Sequence, residues 1–267
     1  MRFAIPSRHT LSRFAKGYFR GFHEHLPFLH IPTLSLADLP ADLVLGIIAM
    51  GALYRFEYGK TYELYFAAKE LVASRLTEQT WAHSRLLVGM SPNYNGTSTG
   101  LQPIPSTSIT AVTSTLDYSN ESSELSEFLS PDKILRLTQA LIILTLIGSW
   151  GEGALVTEGL ELAGRLNALV RLSYYGNSDA MPDIIRWKDW IQREERRRTL
   201  LVAYTLLNTQ SIAFNVPPAI VNRDIELYLP HPTKLWRAAT AAKWVELKEN
   251  SPHHERSFRD TLNCLGR

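Results

Sequence analysis

Residues 130–150, SPDKILRLTQALIILTLIGSW, place apolar side chains on every face of a helix. A helix that is hydrophobic all round has to be surrounded, so this segment predicts a central rod with other elements packed about it. Ser130 as N-cap, Pro131 at the first helical position and Asp132 beside it predict where the rod starts. Gly151 and Gly153 predict where it stops. Its apolar run, 140–150, and the similar run at 41–54 both fall short of the roughly 20 residues that a membrane span needs. Both read as buried helices, and no membrane partner is expected.

The rest of the chain repeats the period of the rod. Leu11, Phe14, Tyr18 and Phe22 recur at helical spacing and predict a first helix over about 9–25. The five basic residues before Glu24 also suit a mitochondrial presequence, but the apolar spacing favours the first helix of a domain. A second helix is predicted from near Pro40 to Tyr54, a third over 61–76, one over about 154–172, one from 187, and a last one over about 234–248. No segment alternates with the period of two that a half-buried strand requires. The expected fold class is all-α, an irregular multi-helix domain. One stretch breaks the pattern: of the 40 residues in 91–130, 24 are Ser, Thr, Asn, Gly or Pro and none is Lys or Arg. Such a composition cannot bury enough apolar surface to offset its ordering entropy, so a long disordered Ser/Thr-rich insertion is expected there. The predicted organisation is N-terminal helices over 1–90, the insertion over 91–130, C-terminal helices of the same domain over 131–250, and a polar tail over 251–267.

The helix from 187, WKDWIQREERRRTLLVAYTLL, poses the chemical question, because six charged residues in a row interrupt its apolar pattern. At about 100° per residue, Trp187, Trp190, Ile191, Glu194, Arg198, Leu201 and Thr205 share one arc. Arg196 falls opposite. Glu194 and Arg198 are thus an i,i+4 pair set among apolar contacts, with Glu on the favourable N-terminal side. Arg suits such a place, since its planar fork bonds a carboxylate twice and stacks on a Trp ring. The reading is of a structural lock inside the helical core. Three consecutive arginines also suit phosphate binding, but Glu194 and Glu195 dilute the field and the net charge of the chain is only +2.

Other chemistry finds little support. Cys264 is the sole cysteine, so neither an internal disulfide nor a cysteine-built zinc site can form within the chain. His23, His25 and His30 lie close in sequence, but side chains two apart on a helix diverge. There is no HExxH, no GxSxG and no phosphate-binding loop with its lysine. No catalytic residue, bound cofactor or metal ligand is therefore assigned, and the chain is not expected to be an enzyme.

The segments taken in order resemble the regulatory, or middle homology, domain of fungal transcription factors over residues 18–244. The resemblance lies in YFRGFHEHLPFLHIPTL, in GALY at 51–54, in LTQALIILTLIGSWG, and above all from Trp187 through EERRR to FNVPPAI, DIELYLP and LWRAA. Trp190, Glu195, Arg197 and Arg198 match the aromatic and E-x-R-R positions of that family, Pro217-Pro218, Leu229-Pro230 and Trp236 come at its intervals, and Trp187 and Glu194 join them on the helix. The resemblance implies a nuclear protein acting in transcription by RNA polymerase II. It also implies transcriptional coregulators, self-association or a small effector as partners, and a neighbouring zinc-finger module that holds zinc and binds DNA. One cysteine cannot build that module, so the chain is expected to be a fragment, a truncated gene product or a protein acting without a DNA reader. The rival readings are a stand-alone helical scaffold that sequesters partners and a helical enzyme.

Overall fold

The structure, a computed structural model, describes residues 4–89, 130–174, 185–250 and 255–265. The expected insertion at 91–130 lies outside these residues apart from Ser130. Among the described residues the fold is all-α: no strand forms, and the sole extended pairing is an isolated antiparallel bridge between Tyr228 and Ser257.

Helix α1, Arg8–Gly17, begins at Ser7, whose hydroxyl accepts from the Thr10 amide at 3.3 Å. It runs on through a π-helical turn, Tyr18–Phe22, and a last turn, His23–His25. The single helix predicted here therefore carries one widened turn, which places Tyr18 and Phe22 in the core. Helix α2, Ala41–Leu53, starts after Pro40, whose fixed backbone suits a helix entrance. Helix α3 is Tyr58–Gly89, α4 is Pro131–Trp150, and α5 is Gly153–Tyr174. Helix α6, Trp187–Phe214, is the charged helix of the sequence.

The C-terminal part departs from expectation. The helix predicted over 234–248 is two helices, α7 (Thr233–Trp236) and α8 (Ala241–Asn250), interrupted at 237–240. The break lets Leu235, Trp236, Ala238 and Trp244 all reach the core, which one straight helix through Ala238 would not do. The expected polar tail contains a further helix, α9 (Phe258–Leu265), and the Phe258 ring stands edge-on to Tyr204 with centroids 5.3 Å apart.

Two close helix crossings fix the frame. A Cβ on Gly51 would lie 1.9 Å from the Phe14 carbonyl oxygen, so α2 lies against the backbone of α1. A Cβ on Gly148 would come within 2.9 Å of the Gly159 Cα, which sets α4 against α5 in the same way. Glycine is needed at each crossing because any side chain would separate the helices. Helix α4 is buried through its middle, with Leu137, Ala140, Leu141, Ile142, Ile143 and Leu144 fully enclosed. By length and composition it is long and apolar enough to cross a membrane, yet 67% of its apolar window is covered by protein.

The chain divides into two units. Residues up to Ala73 and from Ile134 form the larger one, which holds the elements of the next sections. Ser74–Lys133 form the smaller one. Within it the Arg75 guanidinium donates to the Lys133 carbonyl at 3.2 Å, and the Ser130 hydroxyl accepts from the Lys133 amide at 3.4 Å, capping α4.

Candidate functional site

Two consecutive glutamates on α6 organise two separate polar networks. Glu194 is fully buried. Its Oε1 accepts from Arg198 Nε at 2.7 Å and from the His231 amide at 2.9 Å, and its Oε2 lies 2.9 Å from His231 Nδ1. A carboxylate can only accept, so this contact is a hydrogen bond when Nδ1 carries the imidazole proton. The Arg197 guanidinium, also fully buried, stands 3.6 Å from Glu194 Oε2 and donates to Glu255 at 2.9 Å. Arg198 closes the loop by donating to the His231 carbonyl at 2.6 Å.

Burial alone would raise the Glu194 carboxyl pKa. The His231 hydrogen bond and the Arg198, His231 and Arg197 charges outweigh it and hold the group below the ordinary carboxylate range. Burial acts on Arg198 in the opposite sense and draws its guanidinium below the usual value, against the pull of Glu194.

The aromatic side chains build the wall of this knot. Arg198 stacks over the Trp236 ring at 4.7 Å and Arg197 over the Tyr228 ring at 5.5 Å. Trp190 touches the His231, Trp236 and Trp244 rings at centroid distances of 5.5, 6.2 and 5.4 Å. Trp187 packs at the edge of the same cluster. His30 wedges between Trp236 and Trp187 at 4.6 and 6.2 Å, and its Nδ1 meets the Thr33 hydroxyl at 2.7 Å. Burial lowers the His30 pKa to about 4, so the ring packs as a neutral polar aromatic. Burial lowers that of His23, against the opposing charge of Glu24, likewise to about 4.

Glu195 turns to α4. Arg136 forks onto it at 2.7 and 3.4 Å, and Gln139 donates to it at 3.2 Å. Gln139 also donates to Thr199 at 3.1 Å, so the one amide in the all-apolar rod is satisfied.

Of the residues singled out from the sequence, Trp187, Trp190, Glu194, Arg197, Arg198 and Trp236 meet in one cluster. Glu195 belongs to the second network. Pro217 and Pro218 are exposed and follow the left-handed Asn215 (φ 51°) that ends α6. They lie past the end of α6, whose last residue, Phe214, is about 24 Å along the axis from Arg198 at about 1.5 Å per residue. Arg196, placed outward by the arc, is half-buried and donates to the Ser173 carbonyl of α5. Thr205, placed inward, is exposed, and the buried face of that half of α6 is Leu200, Ala203, Leu206, Leu207 and Gln210. The neighbours change along the helix: Trp236 and Trp244 cover its first half, whereas Gln210 in the second half bonds Ser149 of α4.

Sequence reasoning missed His231, Glu255, Arg136 and Gln139. Gln139 had a signal, being a polar residue inside an apolar rod. His231 had a weaker one, following Leu229-Pro230. Glu255 had none. Among the described residues no three of His, Cys, Asp and Glu gather in a way that could hold a metal ion.

An all-helical domain centred on interior ion pairs, with Arg198 stacked on a tryptophan and Arg197 on a tyrosine, is an architectural assembly. The profile of the fungal specific transcription factor domain matches residues 15–266, and the chain belongs to that family. The family is one of transcription-factor regulatory domains, and this gives the chain a transcription-regulatory role. Zinc finger protein klf1 of Schizosaccharomyces pombe is 21% identical over 245 residues, covering 89% of this chain and 26% of that protein. The chain thus spans about a quarter of the length of the curated relative it matches. No solved structure matches it.

Proposed function

We propose that the chain is the regulatory and interaction part of a zinc-finger-type transcription factor working in the nucleus on RNA polymerase II promoters. The zinc and the DNA contacts belong to a module outside these 267 residues. The helical body engages coregulators or a second copy, and responds to a small effector by shifting between conformations that hide or present an activating surface. The observation that carries this reading is the family match over 15–266, which takes in the helical core from Ala15 onward and both glutamate networks. The name of the fission-yeast relative supports the link to a zinc finger.

The test is to join the chain to an unrelated DNA-binding module and follow a reporter gene with sites for that module. Output that rises or falls relative to the module alone is the expected result. Unchanged output from a fusion that is folded and nuclear would refute the regulatory reading.

A further inference from the structure

A groove of about 880 Å³ opens between α1, the connection before α2, α2 itself and α3. Its volume is in the range of sites that enclose small molecules. Leu11, Leu39, Leu45 and Ile48 form its walls, and Arg8 and Ser12 carry the only polar side-chain atoms in its lining. These two are one helical turn apart on α1, so they share a side of the groove. Arg8 is exposed and lines the groove, and no ion pair or hydrogen bond among the described residues ties it.

We propose that this groove binds a free long-chain carboxylate, an aliphatic tail ending in one anionic head. The head pairs with the Arg8 guanidinium and accepts from the Ser12 hydroxyl, as a charge-assisted hydrogen-bonded pair. The first residue of α2, Ala41, also lines the groove, but Asp42 beside it in the first turn offsets the dipole there, so Arg8 supplies the positive charge. No acidic side chain is in the lining to oppose an anion. The tail follows from what the walls lack. With no aromatic ring they cannot stack a flat ligand, and with no further donor or acceptor they would strand a second polar group without a partner. Ile5, 75% exposed, and Leu71, 39% exposed, leave apolar surface at the lips that a flexible chain would cover. This inference names the chemical class of the effector in the regulatory reading and rests on that reading for its biological consequence.

Calorimetric titration of the whole chain with dodecanoate, below its micellar concentration, tests the binding, with dodecan-1-ol as the uncharged match. The expected result is one-to-one binding of dodecanoate, about tenfold tighter than the alcohol, which is about 1.4 kcal/mol. Arg8→Gln, at an exposed position, should abolish that preference and leave the alcohol unchanged. Leu45→Trp, which fills the groove, should remove both. The inference is overturned if Arg8→Gln keeps the preference or if dodecanoate binds only as micelles. It is also overturned if the groove proves to hold a second copy, seen as a concentration-dependent dimer in sedimentation that Leu45→Trp abolishes. Titration of purified protein and the reporter assay fail independently, so loss of the ligand does not mimic loss of the regulatory role.

Discussion

Glu194 and Glu195 are neighbours in the chain and strangers in the fold. Glu194 reaches His231 in the connection before α7, and through Arg197 its network reaches Glu255 near α9. Beyond α6 itself, the partners in this network are loops and late elements, 33 to 58 residues from the arginines that reach them. Glu195 reaches one helix, α4, through Arg136 and Gln139, which lie one turn apart. In the first network the two arginines beside Glu194 keep 0% and 8% of their side-chain exposure, and its outer member Glu255 keeps 22%. In the second the arginine itself, Arg136, keeps 18%. The same residue type thus does two jobs: Glu194 pins the end of the chain onto α6, and Glu195 sets the register between two core helices.

The comparison breaks most readily at Glu194. Glu194→Ala leaves two buried guanidinium groups facing an empty site and should cost about 3–5 kcal/mol in urea unfolding. Glu195→Ala should cost less, about 2 kcal/mol, because Arg136 can turn to solvent. Equal losses would mean that the deeper burial of Arg197 and Arg198 does not matter. Arg198→Ala should likewise exceed Arg196→Ala by about 2 kcal/mol, since Arg198 is buried against the Glu194 carboxylate whereas Arg196 is half-buried and donates to a backbone carbonyl. Equal melting temperatures for those two variants would remove the interior role of Arg198.

Acid sharpens the same contrast. The Glu194 pKa is lowered in the fold, so its contribution is full above the unfolded value of about 4.3 and is lost as pH falls through the lower folded value. Glu194→Gln should flatten the stability profile below about pH 4.3. His23 and His30 act in a different window. Their pKa falls from 6.5 to about 4, so the fold binds fewer protons than the unfolded chain. Stability from these two is complete above pH 6.5 and declines as pH falls toward 4. A loss confined to one window would show which groups carry the acid response.

The smallest effect lies outside both networks. Phe56 sits at φ 60°, 78% exposed, in the turn between α2 and α3, where its amide bonds the Leu53 carbonyl and the Glu57 amide bonds that of Ala52. This is the position where a helix-ending turn favours glycine. Phe56→Gly should stabilise by about 0.5–1 kcal/mol, read as a raised melting temperature. Both networks should keep their mutational costs unchanged in that background, since the sites are distant.

Much of this was legible in the residues. The all-round apolar rod announced α4, and Ser130, Pro131 and the two glycines announced its ends. The arc of Trp190, Glu194 and Arg198 announced one buried face of α6. Other features were not legible. Arg196 and Thr205 were misplaced because a helical wheel assumes one buried face for the whole helix. The break at 237–240 was hidden because α7 and α8 share helical periodicity on either side of it.

The sequence by itself determined the helices, their caps and the presence of a charged pair among aromatic contacts. These depend on neighbours three or four residues apart and on local backbone preference. Only the tertiary structure decided that Glu194 meets His231, that Glu255 closes the knot, that Glu195 turns away to α4, and that Arg8 lines an aliphatic groove with no partner among the described residues. Those outcomes depend on which surfaces meet in space, and burial is a property of the neighbours that arrive there.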